Sequence, residues 1–167
     1  QHIKTSGKDL SYFDPETSTK VVPHVVAEPS LGVDRTFLVF LFDAYEYDSK
    51  RENVVLHLHP KLAPIKVAFF PLLSNKEELV AAAKKIYDEL KAEFNCFYDE
   101  AGSIGKRYAR MDEAGTPYSI TVDFDSLQKH DATIRDRDST KQARVKVKEL
   151  GNVLHQLLSG KLSFEKV

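Results

Sequence analysis

The sequence predicts an α/β domain over residues 62–167, a mixed sheet of about five strands flanked by three helices. Three observations predict it. Between Ile65 and Glu100 an apolar run, an amphipathic stretch and a second apolar run succeed one another. Between Tyr118 and Val147, β-rich segments recur with polar turns between them. Leucines at helical spacing then follow near the end of the chain. Strands alternating with helical patterns give parallel pairing, and a closing hairpin makes the sheet mixed.

Residues 1–61 have a different texture and are expected to be a separate piece, with a boundary near Leu62 to Ile65. "KVVPHVVA" (Lys20–Ala27) predicts a strand with Pro23 near its start. "EPSLGVDR" (Glu28–Arg35) predicts a turn into a helix over Thr36–Tyr45, with Phe37, Leu38, Leu41, Ala44 and Tyr45 on one side. "SKREN" (Ser49–Asn53) is a polar loop. "VVLHLHPKLAP" (Val54–Pro64) predicts a strand running into a proline-punctuated linker.

In the second piece, "IKVAFFPLL" (Ile65–Leu73) is a buried strand stopped by Pro71. Ser74 and Glu77 have capping-box spacing, and Leu79, Ala83, Ile86, Leu90 and Phe94 then share one face of a helix of about five turns. "NCFYDE" (Asn95–Glu100) returns as a strand parallel to the first. Ile104–Asp112 is one or two turns of helix ended by Gly115–Pro117, and "YSITVDF" (Tyr118–Phe124) is a third strand. "ATIRDRD" (Ala132–Asp138) and "ARVKV" (Ala143–Val147) form a hairpin. Leu150, Val153, Leu154, Leu157 and Leu158 mark a last helix stopped by Gly160.

An apolar fraction of 42% with 29% charged residues can bury a core. The longest apolar runs, such as Phe37–Phe42, are far shorter than the ~20 residues of a membrane span. The single cysteine, Cys96, cannot form an internal disulfide, which favours a reducing compartment and a small core side chain on a strand. The chain begins with Gln1 rather than methionine, which suggests a fragment or a processed chain. Net charge is −1, and Lys106–Glu149 holds ten Lys/Arg against eight Asp/Glu, so any RNA contact must be local and shaped rather than a basic stripe.

"DEAGSIGKRYARMDEAGTPY" (Asp99–Tyr118) looks at first like a phosphate loop. Only Ser103 and Ile104 separate Gly102 from Gly105, and Arg107 stands where a magnesium-binding hydroxyl is required, so the stretch fails as a nucleoside-triphosphate loop. Its cations need another role. "EPSLGVDR" places Glu28, Ser30, Gly32 and an Asp-Arg pair at a strand-to-helix junction. A carboxylate there suits an ammonium group, and helix N–H groups beside a cation suit a phosphate. The alternative is an N-capped helix with Asp34 as the cap and Arg35 solvated. His57 and His59 share one side of the expected strand like metal ligands, but no cysteine or third histidine is near, so no metal site is expected.

"PHVVAEPSLGVDR" (Pro23–Arg35) closely resembles motif 3 of class II aminoacyl-tRNA synthetases, in its glycyl-tRNA synthetase form. "SGKDLSYFD", "LHPKLAPIKV", "GSIGKRYARMDEAGTP" and "TIRDRDSTKQARV" are also similar to that family, in its order, so the resemblance covers almost the whole chain. It implies the tail of an antiparallel catalytic domain over residues 1–61 and an anticodon-binding domain over 62–167. It gives Glu28 the contact to the glycine ammonium and Ser30 an adjacent hydroxyl, with Pro29, Leu31 and Gly32 completing that glycine site. Gly32, Val33, Asp34 and Arg35 match the ATP-binding tetrapeptide, with Arg35 as the catalytic arginine on the γ-phosphate, a role suited to a planar permanent cation.

Two departures from the family stand out. Ala27 intervenes between the strand valines and Glu28, which a bulge would absorb. Motifs 1 and 2, which complete the site and the dimer interface, are absent. The resemblance therefore implies a cytoplasmic, homodimeric ligase that joins glycine to tRNA-Gly with ATP and magnesium. This chain would be an inactive portion of it, carrying no cofactor of its own and contacting no membrane. A non-catalytic, synthetase-like accessory subunit is the rival.

For the second piece the resemblance implies anticodon binding. Lys106, Arg107, Tyr108 and Arg110 would meet phosphates and stack on an unpaired base, and Arg135 and Arg137 would contact anticodon bases. The alternatives remain open. Arg107 or Arg110 would pair with Asp112 or Glu113 on a solvated helix, and the aspartates of "RDRD" would pair across the strand with Arg144 and Lys146.

Overall fold

A computed structural model describes residues 1–24 and 28–167, so the end of the strand expected over Lys20–Ala27, including the Ala27 insertion, lies outside the described residues. Two units divide the chain, Gln1–Arg35 and Thr36–Val167. In the first, helix α1 (His2–Ser6) ends at Gly7 in the left-handed conformation. A hairpin of β1 (Tyr12–Asp14) and β2 (Thr19–Val21) follows, antiparallel, with Phe13 opposite Lys20. Asp14 closes its turn by accepting from the Glu16 N–H at 3.1 Å and the Thr17 hydroxyl at 2.6 Å.

Helix α2 covers Val33–Ala44, three residues earlier than expected, so Asp34 is its second residue rather than its cap. The helix does not include Tyr45, which instead opens β3 (Tyr45–Asp48), a strand absent from the sequence expectation. β3 pairs antiparallel with β4 (Asn53–Leu56), and the polar Ser49–Asn53 stretch supplies the hairpin turn. Asp48 holds that turn by accepting from the Lys50 and Arg51 N–H groups at 2.8 and 3.2 Å. β4 stops at Leu56, so His57 and His59 lie beyond the strand and share no strand face, contrary to expectation. The His57 N–H still closes on Ala44 O at 2.6 Å, in the register of the ladder, and the chain then turns as the Leu58 N–H folds back onto Leu56 O at 2.8 Å.

The mixed sheet has five strands in the order β6-β5-β7-β8-β9, as expected. They are β5 (Val67–Pro71), β6 (Cys96–Tyr98), β7 (Tyr118–Val122), β8 (Asp131–Asp136) and β9 (Gln142–Lys146). β5 runs parallel to both β6 and β7, while β7–β8 and β8–β9 are antiparallel. The interior strand β5 is buried on both faces, which is why it reads as a continuous apolar run.

Val67 and Phe69 of β5 join Ile120, Val122, Ile134 and the helices α3 (Glu77–Leu90) and α6 (Leu150–Ser159) in the main core. Ala68 and Phe70 pack on the opposite face against Met111 of α4 (Ile104–Glu113). Gly160 ends α6 in the left-handed conformation at φ 77°. Cys96 is half-buried on β6, and burial pushes its thiol up to about 11.

Three features differ from expectation. α3 begins at Glu77 with Lys76 as its cap residue and no side-chain cap, so the Ser74–Glu77 box does not form. The Leu79 and Val80 N–H groups both close on Lys76 O at 3.1 Å, two residues past Ser74. The helix is 14 residues, about four turns, and Phe94 reaches the core from beyond its end. A fourth helix, α5 (Phe124–Lys129), occupies the expected loop after β7. Asp123 and Ser126 hold its start in a reciprocal capping box.

Candidate nucleic-acid interface

Glu28 to Gly32 form an irregular, exposed turn, and Val33, Asp34 and Arg35 are the first turn of α2. Leu31 and Val33 are each 82% exposed. The Arg35 side chain lies along Gly32, where an added Cβ would stand 3.9 Å from its Cβ, Cγ and Cδ atoms. The local structure thus sets carboxylate, hydroxyl, glycine and guanidinium on one open turn. The helix it leads into is apolar around its circumference, yet of its residues only Ala44 is buried; Phe37, Leu38, Val39, Phe40 and Phe42 are all exposed. A helix apolar all round belongs inside a larger body.

The cations after β6 are spent differently. Ser103 caps α4, its side chain accepting from the Lys106 N–H at 3.4 Å. Arg107 is 1% exposed and donates to Pro71 O and to Gly102 O (2.8 Å), tying the end of β5 to the loop after β6. Among the described residues its Nε is the buried side-chain polar atom left without a partner. Tyr108 is likewise internal: its hydroxyl meets Thr121 Oγ1 at 2.6 Å, its ring stands edge-on to Phe70, and the Arg135 guanidinium lies 4.7 Å from its centroid. Arg110 is partly exposed and bonds Asp99 through Nε (3.0 Å) and Nη2, with Ala101 O at 2.7 Å. Burial pushes the Asp99 carboxyl up, but the Ala101 N–H, Arg110 and Arg107 outweigh it and hold it below its ordinary range. Lys106 is exposed.

Arg135 and Arg137 do face one way, as alternation requires, and that way is inward. Arg135 forms a two-pronged pair with Asp112 at 2.8 and 2.9 Å, both side chains buried. Arg137 donates to Gly115 O (2.8 Å) and Leu58 O (3.0 Å) and pairs with Asp138. Arg51, from the β3–β4 turn, reaches Asp112 Oδ2 at 3.4 Å, Arg137 O at 2.8 Å and Asp138 O at 2.9 Å. His57 bridges Asp138 Oδ1 (2.6 Å) and Glu46 Oε2 (3.2 Å). These groups form one seam joining the β3–β4 hairpin, α4 and β8.

A cation that the sequence cast only as a strand partner lies at the edge where β7 ends. Arg144 of β9 donates to Asp131 Oδ1 at 2.7 Å and to Asp123 Oδ2, and its side chain stays 35% exposed. Burial raises the Asp123 carboxyl, and Ser126 and Arg144 together reverse that and hold it low. Phe124 follows, 41% exposed. The signal was the alternation Gln142, Arg144, Lys146, which puts three polar side chains on the exposed face of edge strand β9. Among the described residues no three His, Cys, Asp or Glu side chains gather to hold a metal, and no helix is long and apolar enough to cross a membrane.

The site thus sits on a five-stranded mixed sheet with helices packed on both faces. The chain belongs to the anticodon binding domain family, whose pattern residues 66–157 match. Its relatives include a protein of Clostridium acetobutylicum, 51% identical over 93% of this chain, one of Acetivibrio thermocellus, 53% identical over 90%, and one of Caldanaerobacter subterraneus subsp. tengcongensis, 49% identical over 95%. Each of these relatives is a glycine–tRNA ligase, and the chain spans about a third of their length, 34%, 32% and 34% respectively.

Proposed function

We propose that this chain works as part of a glycine–tRNA ligase, binding the anticodon arm of tRNA-Gly and contributing one wall of the glycine and ATP site. The observation that carries the reading is about 50% identity to such ligases across nine-tenths or more of the chain. In this reading Glu28 faces the glycine ammonium, Pro29, Ser30, Leu31 and Gly32 shape its pocket, and Gly32–Arg35 meet ATP with Arg35 on the phosphate. The exposure of the turn and of α2's phenylalanines supports it, because the remaining chain of a longer ligase would cover them. Residues 1–61 are then the tail of the catalytic domain and 62–167 the anticodon-binding domain, in a cytoplasmic homodimer that takes glycine, ATP and magnesium.

The anticodon is read at the edge where β5, β6 and β7 end. Lys106 and Arg110 hold phosphates there, and Tyr108, Arg107, Arg135 and Arg137 set the framework from inside. Arg144 holds the Asp123 and Asp131 carboxylates in place beside Phe124, so that edge offers an unstacked base carboxylate oxygens and a ring. Titrating the chain with tRNA-Gly and an anticodon-swapped tRNA at two salt concentrations tests this. Binding should weaken steeply with salt, and replacing one anticodon cytosine should cost ~1–3 kcal/mol. Identical curves for both tRNAs would remove anticodon reading.

A further inference from the structure

On the sheet face that carries α3, a cleft of about 710 Å³ opens between α3, α5 and the end of β9. Its floor is apolar, made by Ile86, Val122, Leu127 and Val147. Its rim carries four lysines, Lys85, Lys129, Lys146 and Lys148, against two carboxylates, Glu89 and Asp131. Asp131 is already held by Arg144 at 2.7 Å, and Lys146 Nζ stands 3.9 Å from it while donating to Lys129 O at 2.8 Å. Lys129 pairs with Asp125 at 3.0 Å, its exposed neighbour one turn earlier. Among the described residues the ammonium groups of Lys85 and Lys148 have no such pair, and both residues are exposed. In a chain of net charge −1, this concentration is local.

We propose that this cleft is a second RNA contact, in which the lysines take successive phosphates of one strand and the apolar slot holds an unstacked base between them. The inference rests on the tRNA-binding reading above. Cations spread around a slot match a chain of phosphates, whereas a single anion would be met at one point. The volume lies within the ~300–1,000 Å³ of sites that take a nucleotide-sized group. Few polar atoms line the floor, so it reads a base by its flat face, without regard to sequence. α5 links this cleft to the anticodon edge: Asp123 and Phe124 stand at its start, while Leu127 and Lys129 line the cleft. Six helical residues span about 9 Å, a distance one strand of RNA crosses within a few nucleotides.

The test compares the wild-type chain with a Lys85→Ala/Lys148→Ala variant, both positions being exposed and outside the anticodon-reading edge. Affinity for tRNA-Gly and for an anticodon-swapped tRNA should fall by the same factor, and the slope of log affinity against log salt should become shallower by about two. In methyl NMR, the Ile86, Leu127 and Val147 signals should shift with a single-stranded oligonucleotide and stay put with a duplex. An unchanged salt slope in a variant whose parent binds tRNA-Gly would overturn the cleft alone. A loss of anticodon discrimination would assign the two lysines to the reading edge and likewise overturn it. Methyl shifts produced by a Leu- and Asp-rich peptide but not by RNA would give the cleft to a protein partner. A wild-type chain that binds no tRNA would bring down both readings together.

Discussion

Residues 28–42 and the seam around Asp112 draw on the same residue types, arginine, carboxylate, aromatic and glycine, and spend them in opposite ways. In the first region Arg35 and Glu28 lie open on a turn, and the phenylalanines of the following helix face outward. In the second, Arg135 and Arg137 are 7% and 2% exposed, and their forks are filled by backbone carbonyls and by Asp112 and Asp138. A guanidinium held by internal partners cannot also meet a phosphate without breaking them, so the seam is built to position, while the turn leaves its charged side chains exposed. Exposure, and not residue type, separates the two. Substitutions that test this contrast should therefore differ most in their effect on folding.

The largest effect should come from Asp112→Ala. Its carboxylate takes both prongs of Arg135 and one contact from Arg51, and removing it strands a buried cation. Breaking such a pair from one side costs about 3–5 kcal/mol, read as a fall in the urea midpoint. A paired Asp112→Leu/Arg135→Met variant should recover much of that loss, since neither charge is then left alone. If Asp112→Ala unfolded at the wild-type midpoint, the seam would carry no structural weight and its arginines would be free for RNA.

Next is Gly115, at φ +75°, where the chain passes from α4 into β7 beneath the linker after β4. An added Cβ would stand 2.9 Å from Leu58 Cδ1 and 3.1 Å from Leu56 O. The strained backbone and the clash together should cost Gly115→Ala about 2–3 kcal/mol. Gly160, also left-handed at φ +77° but with nothing within 4 Å, should lose only the backbone part, about 1 kcal/mol. Equal losses at the two glycines would mean that the linker yields to the added methyl group.

The same contrast explains what the sequence could show. The β5–α3–β6 unit and the β8–β9 hairpin were legible because apolar pattern decides them, a continuous run in β5, alternation in β9, and a period between three and four in the helix. Helix α5 was not, because six residues hold too little apolar period and its Asp123–Ser126 box is a purely polar signal. β3 was missed because all but its last residue are exposed and Tyr45 continues the helical spacing of α2. The buried arginines escaped because charge does not report burial. A wheel of α4 would have caught Arg107 and the Asp112 that holds Arg135, since both fall on the stripe that carries Ile104, Tyr108 and Met111. Arg144 stayed hidden for the converse reason: its strand-partner role masked the fact that β9 is an edge.

A smaller effect concerns acid. Asp99 and Asp123 are held below their ordinary range in the folded chain despite burial, so each binds its proton less readily there than when unfolded. The stabilisation they give is therefore present above the unfolded carboxyl pKa of about 3.9 and is lost as pH falls through the lower folded values. The urea midpoint should be flat from pH 7 to 5 and drop below about pH 4, the unfolded carboxyl range. Asp99→Asn and Asp123→Asn should each flatten that drop. An acid limb unchanged in both variants would place it on other carboxylates.

The smallest effect on folding should come from Arg35→Ala, and it sharpens the comparison most. The side chain is exposed and runs along Gly32, so the urea midpoint should move by less than about 0.5 kcal/mol, the range of an ordinary surface change. Installed in a longer ligase, the same substitution should cost ~2–4 kcal/mol of transition-state stabilisation in glycyl-adenylate formation, the scale for a donor aimed at developing negative charge. Arg35→Lys should fall between, because an ammonium keeps the charge and loses the planar fork. Glu28→Gln in that ligase should weaken glycine more than ATP, since it removes charge and keeps shape. On the function proposed above the chain alone should show no glycine-dependent ATP–pyrophosphate exchange, because its turn would offer only one wall of the site. Adenylate formation within a factor of two of wild type in Arg35→Ala would leave the open turn without a catalytic reason for being open. The exposed phenylalanines of α2 would then be the better guide to what that region contacts.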